Sequence, residues 1–287
     1  MDHGRFRFSP IGARPRFELP GGARVGVWVI PNIEHFQFDK PGPSATGVTA
    51  AFKPDVLNSA WRDYGNRVGV WRMFDVLERH GVKGTCALNS DACEEYPQII
   101  EAANQMGYEW MGHGENNSVL LTGVGEKEEQ QLIARAISRI TEGTGQRPRG
   151  WLGPALTETA NTPDILAEQG IEYVCDWAND ELPYELTVKR GKLLSVPYTI
   201  EMNDIFAFME RRLTAETFCQ MIIDQFDVLY EEGTKSPRLM AISLHPFLIG
   251  HPYRSKYLDK ALTHLKRREQ VWWTTGSGIV DWYRAGG

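Results

Sequence analysis

The sequence predicts one α/β domain built as a parallel (β/α) barrel. Short apolar runs rich in β-branched residues alternate with helical patterns at steps of about 20 to 35 residues, which is typical of βαβ units. Polar clusters follow many of these runs, as they do where a barrel assembles its site from several strand ends. No glycine-rich phosphate loop follows the first run, and this favours a barrel over a doubly wound sheet.

The first part of the chain predicts a surface segment, a buried strand and a long loop. Residues 1–22 are rich in Arg, Pro and Gly, so we expect them to wrap a barrel formed by residues 23–287. The apolar run Val25–Ile30, which Pro31 ends, predicts a strand buried on both faces. Residues 35–64 predict a long loop, and a loop of this length within a compact chain is usually functional or forms a lid.

The remaining elements alternate regularly. Amphipathic spacing predicts helices at residues 66–80, 96–106, 126–141, 161–169, 214–232, 256–266 and 278–283. Gly81 ends the first of these helices. Apolar runs predict strands at residues 82–88, 107–111, 149–152, 171–175, 193–197, 238–244 and 271–275. No internal repeat or inter-domain linker interrupts the series, so we expect a single domain.

Composition argues against several classes of function. The net charge of −6 and the lack of a dense Lys/Arg face argue against a nucleic-acid partner. No apolar run approaches membrane-spanning length, and the N-terminus lacks the apolar core of a secretory signal. The four cysteines form no CxxC pair, which indicates reduced, structural thiols. We therefore expect a cytoplasmic protein without a membrane partner.

Histidines and acids stand just past the ends of predicted strands, where barrel chemistry is expected. The stretch Met111–Asn117 releases His113 from a strand between two glycines and then presents Asn117. Glu34 follows the first strand, and His245 follows the strand at 238–244. Imidazole transfers protons near neutral pH and a carboxylate can orient it. The recurrence therefore predicts an acid–base or metal-binding centre.

Other side chains at or near strand ends are candidates for ligand binding. Asn32 and Asn117 are potential donors to an oxyanion, and Arg67 is a potential anchor for a carbonyl or carboxylate. Aromatic rings there are suited to form flat apolar walls, although ordinary packing explains Trp151 at least as well. The complete substrate-binding set comprises Asn32, Arg67, Asn117, Trp151, Asp176, Trp177 and Tyr198.

Four stretches resemble a known family over a region from about Arg24 to Tyr283. They are Tyr64–Arg72, Asn179–Tyr184, Val196–Asp204 and His245–Arg254. On these motifs the chain resembles the polysaccharide deacetylase (NodB-homology) superfamily, in its branch of deacetylase-like allantoinases and cyclic imide hydrolases. The resemblance implies a distorted barrel of about seven strands, hydrolysis of a non-peptide C–N bond, and a homo-oligomer that is a tetramer or a dimer.

Several of the family's motif positions are altered in this chain. Asn32 and Glu34 stand where the first motif has an Asp base and an Asp metal ligand. The motif with two histidines becomes His113 and Asn117, and the third motif lacks its Arg. The resemblance implies Glu34, His113 and Asn117 as metal ligands, but such a set is weak for zinc. We expect either no cofactor or a divalent metal such as zinc.

These observations predict a hydrolase that opens a small cyclic amide, imide or ureide with little or no dependence on a metal. Glu34 or His113 is the expected general base for water. His245, which matches the histidine of the fourth motif, is expected to protonate the leaving nitrogen or support the oxyanion. Two alternatives stay open, a metal-dependent carbohydrate N-deacetylase and a non-catalytic binding protein on the same barrel. The expected partners are a small-molecule substrate and further copies of the chain.

Overall fold

The computed structural model describes residues 3–286, and its core is one curled sheet of nine strands. The strands are Val25–Ile33 (β1), Thr85–Leu88 (β2), Glu109–Gly112 (β3), Gly150–Trp151 (β4), Tyr173–Val174 (β5), Tyr184–Leu186 (β6), Leu193–Ser195 (β7), Arg238–Leu244 (β8) and Val271–Trp273 (β9). Their hydrogen-bonded order is β6-β7-β5-β4-β3-β2-β1-β8, and β9 also pairs with β1. All pairs are parallel except β6 with β7.

Helices alternate with the strands and form the outer layer. They are Val56–Tyr64 (α1), Val70–Arg79 (α2), Asp91–Glu95 (α3), Pro97–Gln105 (α4), Glu126–Thr144 (α5), Thr162–Glu168 (α6), Ala215–Glu232 (α7), Pro246–Ile249 (α8), Pro252–Lys266 (α9) and Gly276–Arg284 (α10). Two π-helical turns, Gly65–Gly69 and Phe206–Glu210, add to these helices. Within residues 3–286, no helix is long and apolar enough to cross a membrane.

The sheet curls into a half-barrel, and loop residues bridge its far edges. Leu239 of β8 donates its backbone N–H to Glu181 O over 3.0 Å, and Ser243 donates to Met202 O over 2.9 Å. The single-domain, distorted barrel predicted from the sequence is therefore confirmed. It has nine strands where about seven were implied, because β6 adds an antiparallel edge and the short β9 pairs with the start of β1 on the side away from β8.

Side chains on the strands alternate between the barrel interior and the helix layer, as the pleat requires. In β1, Trp28 and Ile30 point inward and pack in one cluster with Met111 of β3. Val27 and Val29 point outward and pack in a second cluster with the helices. The inward register continues past the strand ends and brings together the polar residues Asn32, Glu34, His113, Ser243 and His245.

Two details of the first third of the chain differ from the sequence prediction. β1 does not end at Pro31, because the proline ring lies against Gly84, which has no side chain to obstruct it. The predicted loop at residues 35–64 is not irregular throughout, since its last nine residues form α1. Asp55 caps this helix by accepting a hydrogen bond from the backbone N–H of Asn58. The segment 35–55 remains without helix or strand.

The π-helical turn Gly65–Gly69 packs closely against the backbone of α8, the helix that follows His245. A Cβ atom on Gly69 would lie 2.2 Å from Pro246 O, and one on Gly250 would lie 2.4 Å from Gly69 Cα. Side chains therefore do not fit at either glycine. This contact fixes the position of the chain directly after His245.

We expect Gly69→Ala to destabilise the fold, because the added methyl group must displace backbone atoms. Overpacking an interior costs roughly 1–3 kcal/mol and occasionally more, so urea unfolding should show at least this loss of unfolding free energy. Gly47→Ala is the matched control, since no heavy atom lies within 4 Å of its Cβ position. Its unfolding free energy should change by less than about 0.5 kcal/mol. Equal stability of the two variants would contradict the close packing.

Candidate active site

Three side chains that the sequence placed at separate strand ends meet in the barrel interior. Glu34 Oε1 lies 3.4 Å from His113 Nε2 and 3.7 Å from His245 Nε2. The three residues are only 3 to 4% exposed. A buried carboxylate is costly unless charged or donor groups surround it, so the two imidazoles and the acid form one electrostatic unit.

The environment of His113 selects its tautomer. Its Nδ1 lies 2.7 Å from Leu152 O, and a carbonyl oxygen can only accept, so Nδ1 carries a proton. In the neutral ring, Nε2 then presents its lone pair towards Glu34. His113 is therefore arranged to accept a proton at Nε2.

His245 is held by a different partner and has a different protonation preference. Asp204 is fully buried and accepts from both the backbone N–H and Nδ1 of His245, the latter over 2.6 Å. Burial lowers the pKa of His245, but the carboxylates of Glu34 and Asp204 more than offset this, and the net pKa is raised. His245 is thus suited to carry a proton on Nε2 and to donate it.

Asn117 completes the surroundings of Glu34 as a hydrogen-bond donor. Its Nδ2 donates to Glu34 Oε1, and its Oδ1 accepts from Asn89 Nδ2 over 2.9 Å. Asn89 is fully buried, donates also to His113 O, and accepts from the backbone N–H of His35 over 2.9 Å. Asn89 therefore fixes which way the Asn117 amide points.

This donor set does not fit the metal that the family resemblance implies. Asn117 turns its NH2 group, which cannot ligate a cation, towards Glu34 and directs its carbonyl oxygen away to Asn89. Within residues 3–286, no group of three or more His, Cys, Asp or Glu side chains is arranged to hold a metal ion. The centre is organised by hydrogen bonds around a carboxylate.

Unfilled hydrogen-bonding capacity remains beside Glu34. Glu34 Oε2 and Asn32 Oδ1 are both buried and have no partner among the described residues. Tyr198 OH and Ser243 Oγ lie 2.5 Å apart, and each also accepts from an amide, that of Asn203 or of Asn32. One proton sits between the two hydroxyl oxygens, so the second hydroxyl proton is left as a free donor. The interior thus offers two acceptors and one donor to a ligand.

Aromatic rings cover the side of the centre that faces segment 35–55. The Phe247 ring lies 5.8 Å from the His245 ring and 6.1 Å from Phe36, centroid to centroid. Trp61 of α1 packs edge-on against Phe247 at 5.1 Å. The cover is apolar, which lowers the local dielectric constant and strengthens the interactions of Glu34 with its partners.

Two further acids, Asp176 and Glu158, lie behind His113, and Asp176 is linked to it through the peptide unit between Leu152 and Gly153. Gly153 N–H donates to Asp176 Oδ1 over 2.7 Å, and the carbonyl of the same peptide unit is the Leu152 O that accepts from His113. Burial raises the pKa of Asp176 well above its usual range, and neighbouring Glu158 raises it further. Burial likewise raises the pKa of Glu158 to about 7. Both effects favour the protonated form of Asp176.

Three residues of the predicted substrate-binding set lie away from the centre. The Trp151 ring points to the helix layer and packs over Gly112, where a Cβ would lie 2.6 Å from it. Trp177 packs edge-on against Phe6 of the N-terminal segment. The Arg67 side chain is 75% exposed and pairs with Asp63 at 3.6 Å. Asn32, Asn117 and Tyr198 do lie at the centre, and Asp176 acts behind it through the peptide of Gly153.

The sequence analysis missed Asn89 and Ser243 and did not assign a role to Asp204. Asn89 and Ser243 continue the inward register of β2 and β8, after Ala87 and Ala241. The strand-end rule extended by one residue would have found Asn89. Asp204 begins a helical turn directly after Asn203, which pairs with Ser243 of β8, and no local pattern indicates that contact.

Comparisons with known proteins agree with this fold. The profile of the family described as polysaccharide deacetylase matches residues 62–174. A Schizosaccharomyces pombe protein named "Putative polysaccharide deacetylase" is 31% identical over 240 residues, which cover 78% of this chain and 75% of that protein.

Two solved structures superpose on almost the whole chain. A probable polysaccharide deacetylase from Pseudomonas aeruginosa PAO1 has a TM-score of 0.86 and 29% identity, with 95% of each chain covered. The Puue allantoinase has a TM-score of 0.85 and 28% identity, with 98% of each chain covered. The identity to the Schizosaccharomyces pombe protein over most of both chains shows that this chain belongs to the polysaccharide deacetylase family, whose members are hydrolases of C–N bonds.

Proposed function

We propose that this protein hydrolyses a small cyclic amide, imide or ureide without a tightly bound metal. The observation that carries the proposal is the burial of Glu34, His113 and His245 beneath an aromatic cover. A small ring can enter such an enclosed interior, whereas a polysaccharide chain needs an open groove. The allantoinase among the similar structures supports this class of substrate.

The reaction begins with the deprotonation of a water molecule. Glu34 is the base, because its Oε2 is buried and has no partner among the described residues while its Oε1 already accepts from Asn117. His113, with its lone pair on Nε2, orients the same water. The water oxygen then bonds to the carbonyl carbon of the ring, and the carbonyl oxygen becomes an oxyanion.

Collapse of the tetrahedral intermediate requires a donor for the oxyanion and an acid for the leaving nitrogen. The spare hydroxyl proton of the Tyr198–Ser243 pair is the oxyanion donor. His245 gives its Nε2 proton to the nitrogen as the C–N bond breaks. Glu34 then returns its proton to His245, whose Nε2 lies 3.7 Å from the other carboxyl oxygen, Oε1, and this leaves a ring-opened acid and the enzyme in its starting state.

The alternative is a metal-dependent carbohydrate N-deacetylase, and the names of the relatives favour it. It requires a cation held by Glu34, His113 and Asn117, and therefore a reversal of the Asn117 amide.

We also propose that the chain forms a homo-oligomer. Its support is a group of apolar side chains exposed on residues 38–57: Phe38, Val48, Phe52, Val56 and Leu57.

We expect turnover of at least one cyclic imide, hydantoin or ureide and none of N-acetylated sugars in a panel assayed with and without added zinc. His245→Gln and His113→Gln should each lower kcat by roughly 10²- to 10⁴-fold.

Because His245 acts as the acid, wild-type activity should fall as pH rises through its raised pKa. The free energy of unfolding should also fall as pH rises. The stabilisation by the His245 charge is complete below the pKa of about 6.5 in the unfolded chain and is lost above the raised pKa in the folded protein.

His264→Gln is the matched control for those variants, because His264 pairs with Asp227 over 3.0 Å outside the barrel interior. Its activity should equal that of the wild type. A folded protein that turns over no compound of the panel, or one whose activity is unchanged in His245→Gln, would contradict the proposed mechanism.

We expect Asn117→His to create zinc affinity that the wild type lacks. The substitution replaces an amide donor beside Glu34 with an imidazole, so that an acid and two histidines converge as metal ligands. Metal analysis after dialysis should find close to one zinc per chain in the variant and much less in the wild type. Ser118→His, one residue away, should gain none. Stoichiometric zinc in the wild type, with activity abolished by a chelator, would establish the deacetylase alternative instead.

We expect Asp176→Asn to retain most of the activity and Asp176→Ala to lose it. The asparagine reproduces a protonated carboxyl group, with an acceptor for Gly153 N–H and a donor towards Glu158. Alanine leaves Gly153 N–H unpaired and frees the peptide that orients His113, at a cost of about 1–3 kcal/mol. Steady-state kinetics and urea unfolding of both variants check this. An asparagine variant as inactive as the alanine variant would mean that Asp176 acts as a carboxylate.

A further inference from the structure

A cavity of about 310 Å³ lies between the segment that follows β1 and helix α1. Its walls combine apolar rings with a small number of polar groups, which is the composition of small-molecule sites. The residues that matter here are Phe36, Phe38, Ser59, Arg62, Asn66 and Tyr96. We call it the Arg62 cavity.

Arg62 is a buried cation with no acid within salt-bridge distance among the described residues, although the carboxylate of Asp55 acts on it from farther away. Its residue is 6% exposed, and its single hydrogen bond within residues 3–286 runs from Nη1 to Pro43 O over 2.8 Å. Nε is fully buried and unpaired among these residues. Asp63, which also lines the cavity, pairs with Arg67 instead. A buried guanidinium with an unmet donor is costly, so the cavity is electrostatically prepared for an anion.

The surroundings of Arg62 favour a carboxylate over other anions. The guanidinium lies over the Phe36 ring at 5.2 Å, and Gly42 packs so closely that a Cβ there would be 3.3 Å from Cζ. Nη2 makes no hydrogen bond among the described residues, and it remains as the charged donor for a carboxylate in the cavity, since Nε has no accessible surface. Arg62 is the only cation among the residues that line the cavity. One guanidinium can therefore pair with one carboxylate group of a ligand.

The Arg62 cavity adjoins the catalytic centre through the backbone of β1. Asn66 lines the cavity and donates from Nδ2 to Glu34 O over 2.9 Å. Tyr96 lines it as well, and its hydroxyl lies 3.1 Å from His35 Nδ1. Phe36 forms a wall of the cavity and contacts Phe247, which covers His245. A group bound in the cavity is therefore next to the residue that carries the base.

We propose that the Arg62 cavity binds a carboxylate carried by the substrate, so that the hydrolysed amide belongs to an acidic molecule. This inference rests on the proposed function for its link to hydrolysis, but the binding itself needs no turnover. Carboxylate binding explains why α1 buries the charged side chain of Arg62. It also gives a function to Phe36 and Phe38, which line the cavity from the segment after β1.

Binding of succinate, measured by isothermal titration calorimetry on the full chain, tests the proposal. Succinate should bind the wild type, whereas neutral succinamide and inorganic phosphate should bind at least tenfold more weakly. Arg62→Met should weaken succinate binding at least tenfold, and Arg62→Lys should give an intermediate Kd because it keeps the charge but loses the planar fork. Arg79→Met is the matched control, as an exposed arginine whose partners Asp75 and Asp259 do not line the cavity, and it should bind like the wild type.

A second variant covers the case in which Arg62→Met fails to fold. Ser59→Leu fills the cavity while it leaves Arg62 in place, and it should also abolish succinate binding in a protein with wild-type circular dichroism. Equal succinate affinity in the wild type and Arg62→Met, or tighter binding of phosphate than of succinate, would overturn the proposal. A chain that binds succinate as expected but hydrolyses no amide would overturn the proposed function and leave this site intact.

Discussion

The whole centre depends on the burial of one carboxylate, that of Glu34. An ionised carboxyl group in a protein interior is unstable unless donors or cations compensate it. Here the compensation comes from the ends of two strands: the Asn117 amide after β3 donates to Glu34, and the protonated His245 after β8 lies 3.7 Å from it. The parallel arrangement of the sheet is what brings these strand ends to one rim. The barrel therefore assembles the partners that make a charged base tolerable inside it.

The two histidines of the centre perform different tasks because their Nδ1 atoms have different partners. His113 donates from Nδ1 to a neutral backbone carbonyl, while His245 donates to the carboxylate of Asp204. A carboxylate stabilises an imidazolium far more than a peptide carbonyl does. His245 is thereby biased towards the protonated form, and His113 is left as the ring that accepts. The separate roles of the two histidines therefore follow from the groups that accept their Nδ1 protons, Leu152 O and the Asp204 carboxylate.

Much of the centre was predictable from the sequence, because strand ends can be read without tertiary information. Glu34, His113 and His245 were identified in this way, and the β8 boundaries were exact in prediction and structure alike. The orientation of Trp151 was not readable, since an apolar run buried on both faces shows no alternation. Helix α1 was missed for a related reason: its buried residues are Asn58 and Arg62, so it lacks the apolar stripe that marks a helix. The Asn117 amide orientation depends on Asn89, which is distant in sequence.

Membership of a deacetylase family and a centre built without three metal ligands can be reconciled through charge. In a metal-dependent hydrolase, the cation polarises the carbonyl and stabilises negative charge as it develops. In this chain, the positive charge closest to Glu34 is the His245 imidazolium at 3.7 Å, held by Asp204. An imidazolium carries one delocalised positive charge and polarises a carbonyl less than a divalent metal does, so this arrangement suits the proposed substrates, whose carbonyl groups are already activated. The asparagine at position 117 and the substrate class proposed here both fit a centre in which an imidazolium takes the place of a metal ion.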